Sequence, residues 1–410
     1  MKCGLLGRTL SHSYSPKIHS LLGNYSYELV EKEPEELDSF FSDFPFDGLN
    51  VTIPYKRAVL PYCTMLTPQA QRLGSVNTVV KQPDGTLLGH NTDYFGFTSM
   101  VRKSGLTIAD KKVLVLGSGG ASVTAAAVLQ ELGANVITVS RTGETNYNNL
   151  SMHQDAALIV NCTPVGMYPN TGDSPVDLDI FPKLEGVLDL VYNPARTKLL
   201  LDAETRGLVA ENGLWMLVAQ AKESAEWFCR KKVPDAEIFR IYKTLEMQMQ
   251  NIVLIGMPGC GKSTVGALLA ACTGREFVDA DAEIIKTAGM SIPEIFSSFG
   301  EAGFRKIETE VLEAIGKRSG LVIATGGGCV TREENYAPLH QNGRIIYIER
   351  DLSKLPTAGR PLSQAGNLEE MFGHRQPLYE CFADFTVCNN GEAADTVNQI
   401  LSLLKLENDQ

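Results

Sequence analysis

The stretch Ile252-Val253-Leu254-Ile255-Gly256-Met257-Pro258-Gly259-Cys260-Gly261-Lys262-Ser263-Thr264 decides the fold of the second half of the chain. An apolar run leads into the pattern G-x-x-x-x-G-K-[ST], and a helical pattern follows it. In such a loop, backbone amides cradle phosphates, the lysine reaches the β and γ oxygens, and the serine hydroxyl ligates Mg²⁺. We therefore predict a strand, a loop that binds a nucleoside triphosphate, and a helix. The predicted contacts are Gly259, Cys260, Gly261, Lys262, Ser263 and Thr264.

A second strand, glycine turn and helix are predicted at Val113-Leu114-Val115-Leu116-Gly117-Ser118-Gly119-Gly120-Ala121. Glycines there let backbone amides approach a pyrophosphate at the N-terminus of the helix. Taken alone, the motif is also compatible with a plain tight turn, because Ser122 replaces the third glycine of G-x-G-x-x-G. The predicted dinucleotide contacts are Gly117, Ser118, Gly119, Gly120 and Ala121.

The end of the next predicted strand indicates which dinucleotide is bound. An NAD site places an acidic residue there for the ribose 2′-hydroxyl, whereas this chain reads Val139-Ser140-Arg141-Thr142. A guanidinium flanked by two hydroxyls can receive a 2′-phosphate. Ser140, Arg141 and Thr142 therefore favour NADP over NAD. The alternative is that Arg141 is an ordinary exposed arginine.

Short apolar runs alternate with helical patterns along the whole chain, which predicts parallel α/β sheets. The two glycine loops lie much further apart than one βαβ unit, so they indicate two nucleotide sites on two sheets. A length of 410 residues fits two to three domains. We place a substrate lobe at 1–105, a Rossmann-type lobe with C-terminal helices at 106–247, and a phosphate-loop domain with a parallel sheet at 251–410.

The composition excludes several other classes of protein. With 44% hydrophobic and 21% charged residues, the chain matches a globular protein and not a disordered, collagen-like or coiled-coil one. Acidic residues outnumber basic ones in both halves, with 27 against 23 up to residue 249 and 21 against 14 beyond it. Because nucleic acid requires a basic surface, this balance predicts no nucleic-acid partner. The apolar runs are too short to predict a membrane span. Nine scattered cysteines without a Cys-x-x-Cys pair indicate reduced thiols and a cytoplasmic protein.

Four clusters of small polar side chains lie at predicted strand ends and turns of the first lobe. They are Ser11–Pro16, Asn50–Lys56, Gly74–Thr78 and Asn91–Asp93. Each cluster by itself is equally typical of a helix cap or a turn. Together they supply hydroxyls, amides, one lysine and one aspartate, which suits a small polyhydroxylated ligand.

The first half of the chain, about 245 residues, resembles shikimate dehydrogenase. The resemblance rests on Ser13-x-Ser15-Pro16, Asn50-x-Thr52-x-Pro54-x-Lys56, Val76-Asn77-Thr78, Asn91-Thr92-Asp93, the Gly117–Ala121 loop, Asn161-x-Thr163-Pro164-x-Gly166-Met167, Asp189-x-x-Tyr192-Asn193-Pro194 and Gly213-x-x-Met216-Leu217-x-x-Gln220. It implies that Lys56 and Asp93 are the catalytic pair. The residues that the resemblance assigns to shikimate are Asp93, Ser13, Ser15, Asn50, Thr52, Asn77, Tyr192 and Gln220.

The chemistry of such a pair follows from charge. Hydride delivered to the ketone carbon of 3-dehydroshikimate leaves an alkoxide, which needs a proton donor and a positive neighbour, and Lys56 supplies both. A free lysine has a pKa near 10.4, and a carboxylate at Asp93 favours the charged ammonium while orienting it. Two residues depart from the pattern of the family. His90, which we expect to be structural, replaces an acidic residue, and Ser140 replaces an asparagine.

The second half, from Asn251 to about Ala383, resembles shikimate kinase. The resemblance rests on Val278-Asp279-Ala280-Asp281, Phe304-Arg305-Lys306-Ile307-Glu308, Thr325-Gly326-Gly327-Gly328, Gly359-Arg360-Pro361-Leu362 and Arg375-Gln376-Pro377-Leu378-Tyr379, all downstream of the phosphate loop. Arginines beside a glycine triplet in a net-acidic domain also suit an acceptor that carries a carboxylate. The residues that the resemblance assigns to shikimate are Asp281, Arg305, Gly327 and Arg375, and those assigned to Mg²⁺ are Ser263 and Asp279.

The resemblance implies three catalytic residues for this half, Lys262, Asp281 and Arg360. Asp281 would orient or deprotonate the attacking hydroxyl, and Arg360 would belong to a lid over the transferring phosphate. The segment between Ile348 and Arg360 looks short and lacks an arginine that the resemblance would otherwise assign to adenine. Adenine recognition therefore has no predicted residue.

We expect a bifunctional enzyme of the shikimate pathway that binds NADP(H), ATP and Mg²⁺ and acts on the small molecules 3-dehydroshikimate and shikimate. Two alternatives stay open. In the first alternative, the first half is a quinate-type oxidoreductase that uses NAD and is fused to a small-molecule kinase. In the second, one half is retained as a non-catalytic binding module.

Overall fold

The structure is a computed structural model that describes residues 1–10, 13–355 and 368–408, with side chains described as far as residue 404. The chain divides into two units. One comprises Met1–Tyr192 and Leu199–Thr244, and the other comprises Asn193–Lys198 and Leu245–Gln410. Across the described ranges, none of the helices combines the length and the apolar character that crossing a bilayer would require.

The first lobe of the first unit contains a mixed six-stranded sheet. Its strands are β1 (Lys2–Gly7), β2 (Ser26–Glu31), β3 (Gly48–Val51), β4 (Met65–Leu66), β5 (Thr78–Lys81) and β6 (Leu87–His90). They lie in the order β2-β1-β3-β5-β6-β4. The accompanying helices are α1 (Ser15–Leu22), α2 (Leu37–Asp43), α3 (Pro68–Leu73) and α4 (Asp93–Lys103).

Strand β5 runs antiparallel to both β3 and β6, so this sheet differs from the all-parallel sheet that the sequence pattern predicts. The connection between β5 and β6 explains the difference. It is a tight turn in which the Gln82 N–H donates to the Thr86 carbonyl at 2.8 Å. Such a short connection can join only antiparallel strands, because parallel strands need a crossover of a dozen or more residues.

The second lobe of the first unit has a five-stranded sheet in which all strands are parallel. Its strands are β7 (Lys112–Leu116), β8 (Asn135–Val139), β9 (Leu158–Asn161), β10 (Gly186–Asp189) and β11 (Val209–Glu211), in the order β11-β10-β9-β7-β8. The helices that follow are α5 (Gly120–Glu131), α6 (Lys198–Thr205), α7 (Leu214–Cys229) and α8 (Ala236–Met249), and the last turn of α8 already counts with the second unit. Strands β9 and β10 are buried throughout, as expected for a parallel sheet covered on both faces. The predicted Rossmann-type arrangement is confirmed.

The second unit is built on another five-stranded parallel sheet. Its strands are β12 (Asn251–Ile255), β13 (Glu276–Asp279), β14 (Leu321–Ala324), β15 (Gly343–Glu349) and β16 (Phe385–Cys388), in the order β13-β14-β12-β15-β16. Its described helices are α9 (Lys262–Thr273), α10 (Ala280–Ala288), α11 (Ile292–Gly316), α12 (Tyr336–His340), α13 (Leu368–Phe382) and α14 (Ala393–Asn408). The predicted α/β class with a phosphate loop at the end of a central strand is confirmed.

One short segment of the second unit comes from the first half of the sequence. The backbone N–H of Arg196 donates to the Gln341 carbonyl at 2.8 Å, and its guanidinium donates to the His340 carbonyl at 3.2 Å. The Ala195 N–H donates to Oδ1 of Asn342 at 2.8 Å. These bonds explain why Asn193–Lys198 groups with the residues beyond 245, although the sequence pattern assigns it to the lobe at 106–247.

Candidate active sites

The predicted catalytic pair of the first unit is brought into direct contact. Lys56 follows β3, Asp93 begins α4, and Lys56 Nζ lies 2.6 Å from Asp93 Oδ2. Their side chains are only 20% and 10% exposed, so solvent screens this pair less than a surface ion pair. The Val76 N–H donates to the Lys56 carbonyl at 2.8 Å and fixes the backbone behind the ammonium. The Asp93 carboxylate therefore holds the Lys56 amino group at one defined position.

A buried network of amides and hydroxyls lies beside this pair. Asn50 Nδ2 donates to Oγ of Ser224 at 2.8 Å and to Oγ1 of Thr78 at 3.1 Å. Asn77 Oδ1 accepts from the backbone N–H of Thr92 at 2.7 Å, and Asn77 Nδ2 donates to Thr92 Oγ1 at 3.1 Å. Because these side chains already bond to protein groups, the network fixes the shape of the pocket wall. Direct contact of Asn50 and Asn77 with substrate stays a prediction.

The network extends to Gln220 on α7. Its Oε1 lies 3.4 Å from Thr92 Oγ1, and its Nε2 donates to the Leu217 carbonyl at 2.8 Å. Ser224, one helical turn later, is fully buried, and its Oγ donates to the Gln220 carbonyl at 3.0 Å. Sequence reasoning missed Ser224, although its i+4 spacing from Gln220 places both on one face of the helix.

The predicted serines precede α1 or begin it. The Ser15 N–H donates to Ser13 Oγ at 3.2 Å, and Ser15 is buried. Thr52 is partly exposed, and its N–H donates to the Leu6 carbonyl at 2.9 Å. Tyr192 makes an edge contact with Tyr14, with ring centroids 6.0 Å apart. The contacts of these residues with a ligand stay predictions.

His90 has a packing role in the structure. It is buried, its Nδ1 lies 2.9 Å from Thr67 Oγ1, and its ring packs on Trp227 with centroids 4.6 Å apart. Its Nε2 lies 3.6 Å from Oε1 of Glu223. These contacts agree with the structural role expected for His90.

The glycine loop after β7 fits a dinucleotide. Gly117 has φ +114°, and a Cβ there would meet the Thr163 side chain at 3.3 Å. A Cβ added at Gly119 would have no other atom of the described chain within 4 Å, so this side of the loop is open to a ligand. Ser122 is buried and donates its hydroxyl to the Gly117 carbonyl at 2.6 Å, which explains how a serine replaces the third glycine. Gly119 caps α5, so Ser118, Gly120 and Ala121 lie at a helix N-terminus.

The loop also lies against the substrate lobe. A Cβ added at Gly120 would be 3.7 Å from Oγ of Ser75. Asn91 Nδ2 donates to the Ser75 carbonyl at 3.0 Å, and Asn91 lies two residues before Asp93. The dinucleotide loop and the polar network are therefore neighbours within one unit.

The predicted 2′-phosphate contacts follow β8. Arg141 and Thr142 are exposed, and Ser140 is partly exposed. The Ser140 N–H donates to the Thr145 carbonyl at 3.2 Å, which closes this turn. Burial raises the pKa of Tyr147, and the nearby Arg141 guanidinium opposes that rise. An accessible guanidinium with hydroxyls on either side fits a 2′-phosphate.

The phosphate loop of the second unit surrounds the Lys262 ammonium. Lys262 is buried, and its Nζ donates to the Gly256 carbonyl at 2.8 Å and to the Met257 carbonyl at 3.1 Å. Gly261 has φ +102° and precedes α9, so the loop turns sharply into the helix. This arrangement fits nucleotide phosphates, because a buried cation and the helix N-terminus meet at one point.

The predicted magnesium residues are also in contact. Ser263 Oγ donates to Asp279 Oδ2 at 2.8 Å. The other carboxylate oxygen of Asp279 accepts from the backbone N–H groups of Asp281 and Ala282, at 3.0 and 3.3 Å, and caps α10. A hydroxyl and a fixed carboxylate are oxygen ligands of the kind that Mg²⁺ prefers.

The glycine triplet after β14 is required by close packing. A Cβ at Gly326 would lie 2.8 Å from Oε1 of Glu308 and 3.0 Å from Oδ1 of Asp281. A Cβ at Gly327 would lie 2.7 Å from Pro258, and one at Gly328 would lie 2.2 Å from Nη2 of Arg305. Any side chain at these positions would therefore displace a carboxylate, the phosphate loop or a guanidinium.

Arg305 and Glu308 form a buried ion pair beside the triplet. Arg305 Nη1 lies 2.8 Å from Glu308 Oε2, and the two side chains are 8% and 1% exposed. Burial raises the pKa of Glu308, Arg305 lowers it, and the neighbouring Asp281 raises it. Sequence reasoning identified Arg305 but did not recognise Glu308 as its partner, although the i, i+3 spacing would have allowed it.

The predicted acceptor residues line one cavity with the phosphate loop. The cavity has a volume of about 600 Å³, and Asp281, Arg305, Gly327 and Arg375 line it together with Lys262 and Ser263. Arg375 Nη1 donates to the Gly327 carbonyl at 3.3 Å, and the Tyr379 hydroxyl donates to the same carbonyl. Arg360 lies outside the described residues. Arg350 also lines this cavity and was not predicted.

These features define a class of protein. A dinucleotide loop beside a lysine–aspartate pair is typical of an oxidoreductase, and a phosphate loop beside an arginine-lined acceptor cavity is typical of a small-molecule kinase. The family model "Shikimate dehydrogenase substrate binding domain" matches residues 5–79, and the model "Shikimate kinase" matches residues 258–405. The chain belongs to the shikimate dehydrogenase family and carries a shikimate kinase domain in its second half.

Individual relatives agree with this assignment. The shikimate dehydrogenase (NADP⁺) of Clostridium beijerinckii is 35% identical over 244 residues, which cover 54% of this chain and 90% of that relative. A chorismate mutase/shikimate 5-dehydrogenase fusion protein from Clostridium acetobutylicum is 36% identical, with a TM-score of 0.57, over 60% of this chain and 97% of that one. Shikimate 5-dehydrogenase from Thermus thermophilus, solved with NADP(H) and shikimate, is 30% identical with a TM-score of 0.54, over 60% and 99% of the two chains. Both resemblances drawn from the sequence are confirmed, and the chain is a bifunctional enzyme.

Proposed function

We propose that the first unit reduces 3-dehydroshikimate to shikimate with NADPH, and that the second phosphorylates the 3-hydroxyl of shikimate with ATP·Mg²⁺. The observation that carries the first activity is the 2.6 Å contact between Lys56 and Asp93 in a partly buried site. The second is supported by the cavity shared by Lys262, Asp281 and the arginines Arg305 and Arg375. The product of the first site is then the substrate of the second.

In the reduction, NADPH supplies the hydride when it is bound. Lys56 donates a proton to the oxygen on which negative charge develops, and Asp93 orients the amino group. Gly117–Ala121 would hold the pyrophosphate, and Arg141 would hold the 2′-phosphate. In the reverse direction, the neutral amine that this transfer leaves on Lys56 accepts the proton of the shikimate hydroxyl. A positioned acid–base group of this kind contributes about 10²- to 10⁴-fold in rate.

In the phosphorylation, Arg305 and Arg375 hold the acceptor, and Asp281 orients its hydroxyl or takes its proton. The buried ammonium of Lys262 is placed to stabilise negative charge on the phosphates. ATP supplies the phosphoryl group when bound, and Ser263 and Asp279 would hold the Mg²⁺ that neutralises it. We carry Arg360 over from the resemblance as the lid residue.

Two variants of the full chain test the assignment. Lys56→Ala should lower shikimate oxidation by about 10²-fold or more while shikimate phosphorylation keeps its wild-type rate. Lys262→Ala should abolish phosphorylation and leave shikimate oxidation unchanged. Each variant serves as the control for the other, because each must retain one activity. Near-normal dehydrogenase turnover in Lys56→Ala, or loss of both activities in Lys262→Ala, would contradict the assignment.

The two alternative functions predict different assay results. An NAD-dependent quinate oxidoreductase would prefer NAD⁺ and quinate in steady-state oxidation assays, whereas Arg141 supports NADP. A retained binding module would bind its ligand without turnover, so assays with each cofactor withheld distinguish it. We propose functional boundaries at 1–247 and 251–410, with lobes at 1–105 and 106–247, and a cytoplasmic location in which substrate, NADP(H) and ATP are available.

A further inference from the structure

We propose that Arg350 binds the phosphates of the nucleotide in the second unit, an inference that rests on the proposed kinase function. Arg350 directly follows β15, and β15 pairs in parallel with β12, whose end leads into the phosphate loop. The carboxyl ends of neighbouring parallel strands meet at one edge of the sheet, where ligands of open α/β sheets bind. The topology therefore places Arg350 beside the phosphate loop.

The side chain lies against the last glycine of the loop. A Cβ added at Gly261 would be 4.0 Å from Nη1 of Arg350. Gly261 is the N-cap of α9, whose first amides, those of Lys262 and Ser263, point toward a bound anion. Arg350 lines the same 600 Å³ cavity as these residues. A guanidinium here lies beside the position where phosphates rest on the helix N-terminus.

Asn389 fixes the neighbouring wall. Its Nδ2 donates to the Cys260 carbonyl at 2.7 Å, and its Oδ1 accepts from Thr396 Oγ1 at 2.9 Å. The next residue, Asn390, accepts from the Asp351 N–H at 2.9 Å. The loop, the residue after Arg350 and the end of β16 are therefore tied together, which limits the positions that the Arg350 side chain can take.

Arg350 differs from the other cations of this cavity in its bonding. Lys262 donates to loop carbonyls, Arg305 pairs with Glu308, and Arg375 donates to the Gly327 carbonyl. Nε of Arg350, like that of Arg305, is buried and has no hydrogen-bond partner among the residues that the structure describes, but Arg305 already pairs with Glu308 through its Nη1. A buried guanidinium N–H without an acceptor is costly, and a phosphate oxygen would satisfy it.

Phosphate recognition suits an arginine in particular. The guanidinium fork offers two parallel N–H donors to one phosphate, which a lysine cannot do. The segment 351–359 contains no further arginine, and Lys354 donates to the Asn390 carbonyl at 3.0 Å. Within residues 350–355, Arg350 is therefore the cation left to bind this side of the nucleotide.

Isothermal titration of the full chain with ADP and with inorganic tripolyphosphate tests the proposal. Arg350→Ala should raise the Kd of both ligands by about tenfold to a hundredfold, because a charge-assisted hydrogen bond is lost. Arg350→Lys should give an intermediate Kd, because it keeps the charge but loses the fork. Arg318→Ala is the matched control, since Arg318 pairs with Glu276 on an exposed surface and should leave both Kd values unchanged.

The outcomes distinguish a failure of the Arg350 assignment from a failure of the proposed kinase function. Wild-type Kd values for both ligands in Arg350→Ala overturn the assignment of Arg350. Weakened ADP binding with normal tripolyphosphate binding also overturns it, because the contact would then be with the base. A wild-type chain that binds neither ligand contradicts the kinase function itself. Wild-type urea unfolding of the second unit in both Arg350 variants verifies that this unit is folded.

Discussion

Ser224→Ala is the most informative single change in the first unit. The Ser224 hydroxyl is fully buried and links four groups. It accepts from Asn50 at 2.8 Å, lies 3.1 Å from Thr78 Oγ1 and 3.0 Å from Thr92 Oγ1, and donates to the Gln220 carbonyl at 3.0 Å. The hydroxyl therefore joins α7 to the ends of β3 and β6, on which Lys56 and Asp93 depend for their positions.

The expected loss of stability in Ser224→Ala depends on the hydrogen-bond partners that Asn50 keeps. Asn50 Nδ2 keeps weaker contacts with Thr78 Oγ1 at 3.1 Å and with the Asn77 carbonyl at 3.3 Å, so the loss is partial. An incompletely satisfied buried polar group costs about 1–3 kcal/mol in the free energy of unfolding. If about 1.4 kcal/mol of this is also lost from the transition state, kcat/KM for shikimate falls about tenfold.

The assay is steady-state shikimate oxidation with NADP⁺, together with urea unfolding of the same preparations. Thr98→Ala is the control, because the bond that the Thr98 hydroxyl makes among the described residues is a donation to the Tyr94 carbonyl of its own helix at 2.8 Å. We expect Thr98→Ala to stay within about 0.5 kcal/mol of wild type, as is usual for changes that remove no tertiary contact. The shikimate kinase activity should be unchanged in both variants.

The predicted pattern is a lower kcat/KM for shikimate with an unchanged KM for NADP⁺. If Ser224→Ala equals Thr98→Ala in stability and in kcat/KM, the hydroxyl does not organise the site and the reasoning is wrong. A loss in stability with wild-type kinetics would show that the network holds the lobes but does not position the substrate.

Three further predictions concern other parts of the chain. Gly328→Ala places a Cβ 2.2 Å from Arg305 Nη2, so the KM for shikimate in the kinase assay should rise at least tenfold, with dehydrogenase activity intact. Arg141→Ser should raise the KM for NADP⁺ and leave that for NAD⁺ nearly unchanged in oxidation assays. Burial works to raise the pKa of Asp384, but the hydrogen bond to His340 and nearby charges lower it below its ordinary 3.8. Its stabilisation is present above the unfolded pKa and is lost as the pH falls through the folded pKa. Asp384→Asn should therefore flatten the Tm–pH curve of the second unit below about pH 4.

The fold followed from the sequence wherever one motif fixed it. The apolar run before Gly256 and that before Gly117 each required a strand feeding a helix. The first forms β12, the central strand of its parallel sheet, and the second forms β7, which lies between β9 and β8. The apolar runs of the sequence did not reveal β4, β5, β6, β11, β13 and β16. Only two to four residues form each of them, and pairing with distant strands, not local pattern, determines their direction.

Sequence motifs were sufficient to name candidates for the reacting groups. Lys56, Asp93, Lys262 and Asp279 follow from motifs, and the structure places Lys56 against Asp93 and Ser263 against Asp279. The roles of these residues stay predictions. The residues that hold them could not be inferred in the same way. Ser224 meets Asn50 across 174 positions of sequence, and such a contact depends on the packing of a helix against a sheet, which no local pattern encodes.

The central claim is that one polypeptide acts twice on the same carbon ring. The most direct test is a single incubation of the full chain with 3-dehydroshikimate, limiting NADPH and excess ATP·Mg²⁺, in which NADPH loss and phosphorylated product are quantified together. We predict that shikimate 3-phosphate accumulates to one equivalent per NADPH consumed, and that omission of ATP leaves shikimate as the product. NADPH consumption without a phosphorylated product, or no NADPH consumption at all, would contradict the account.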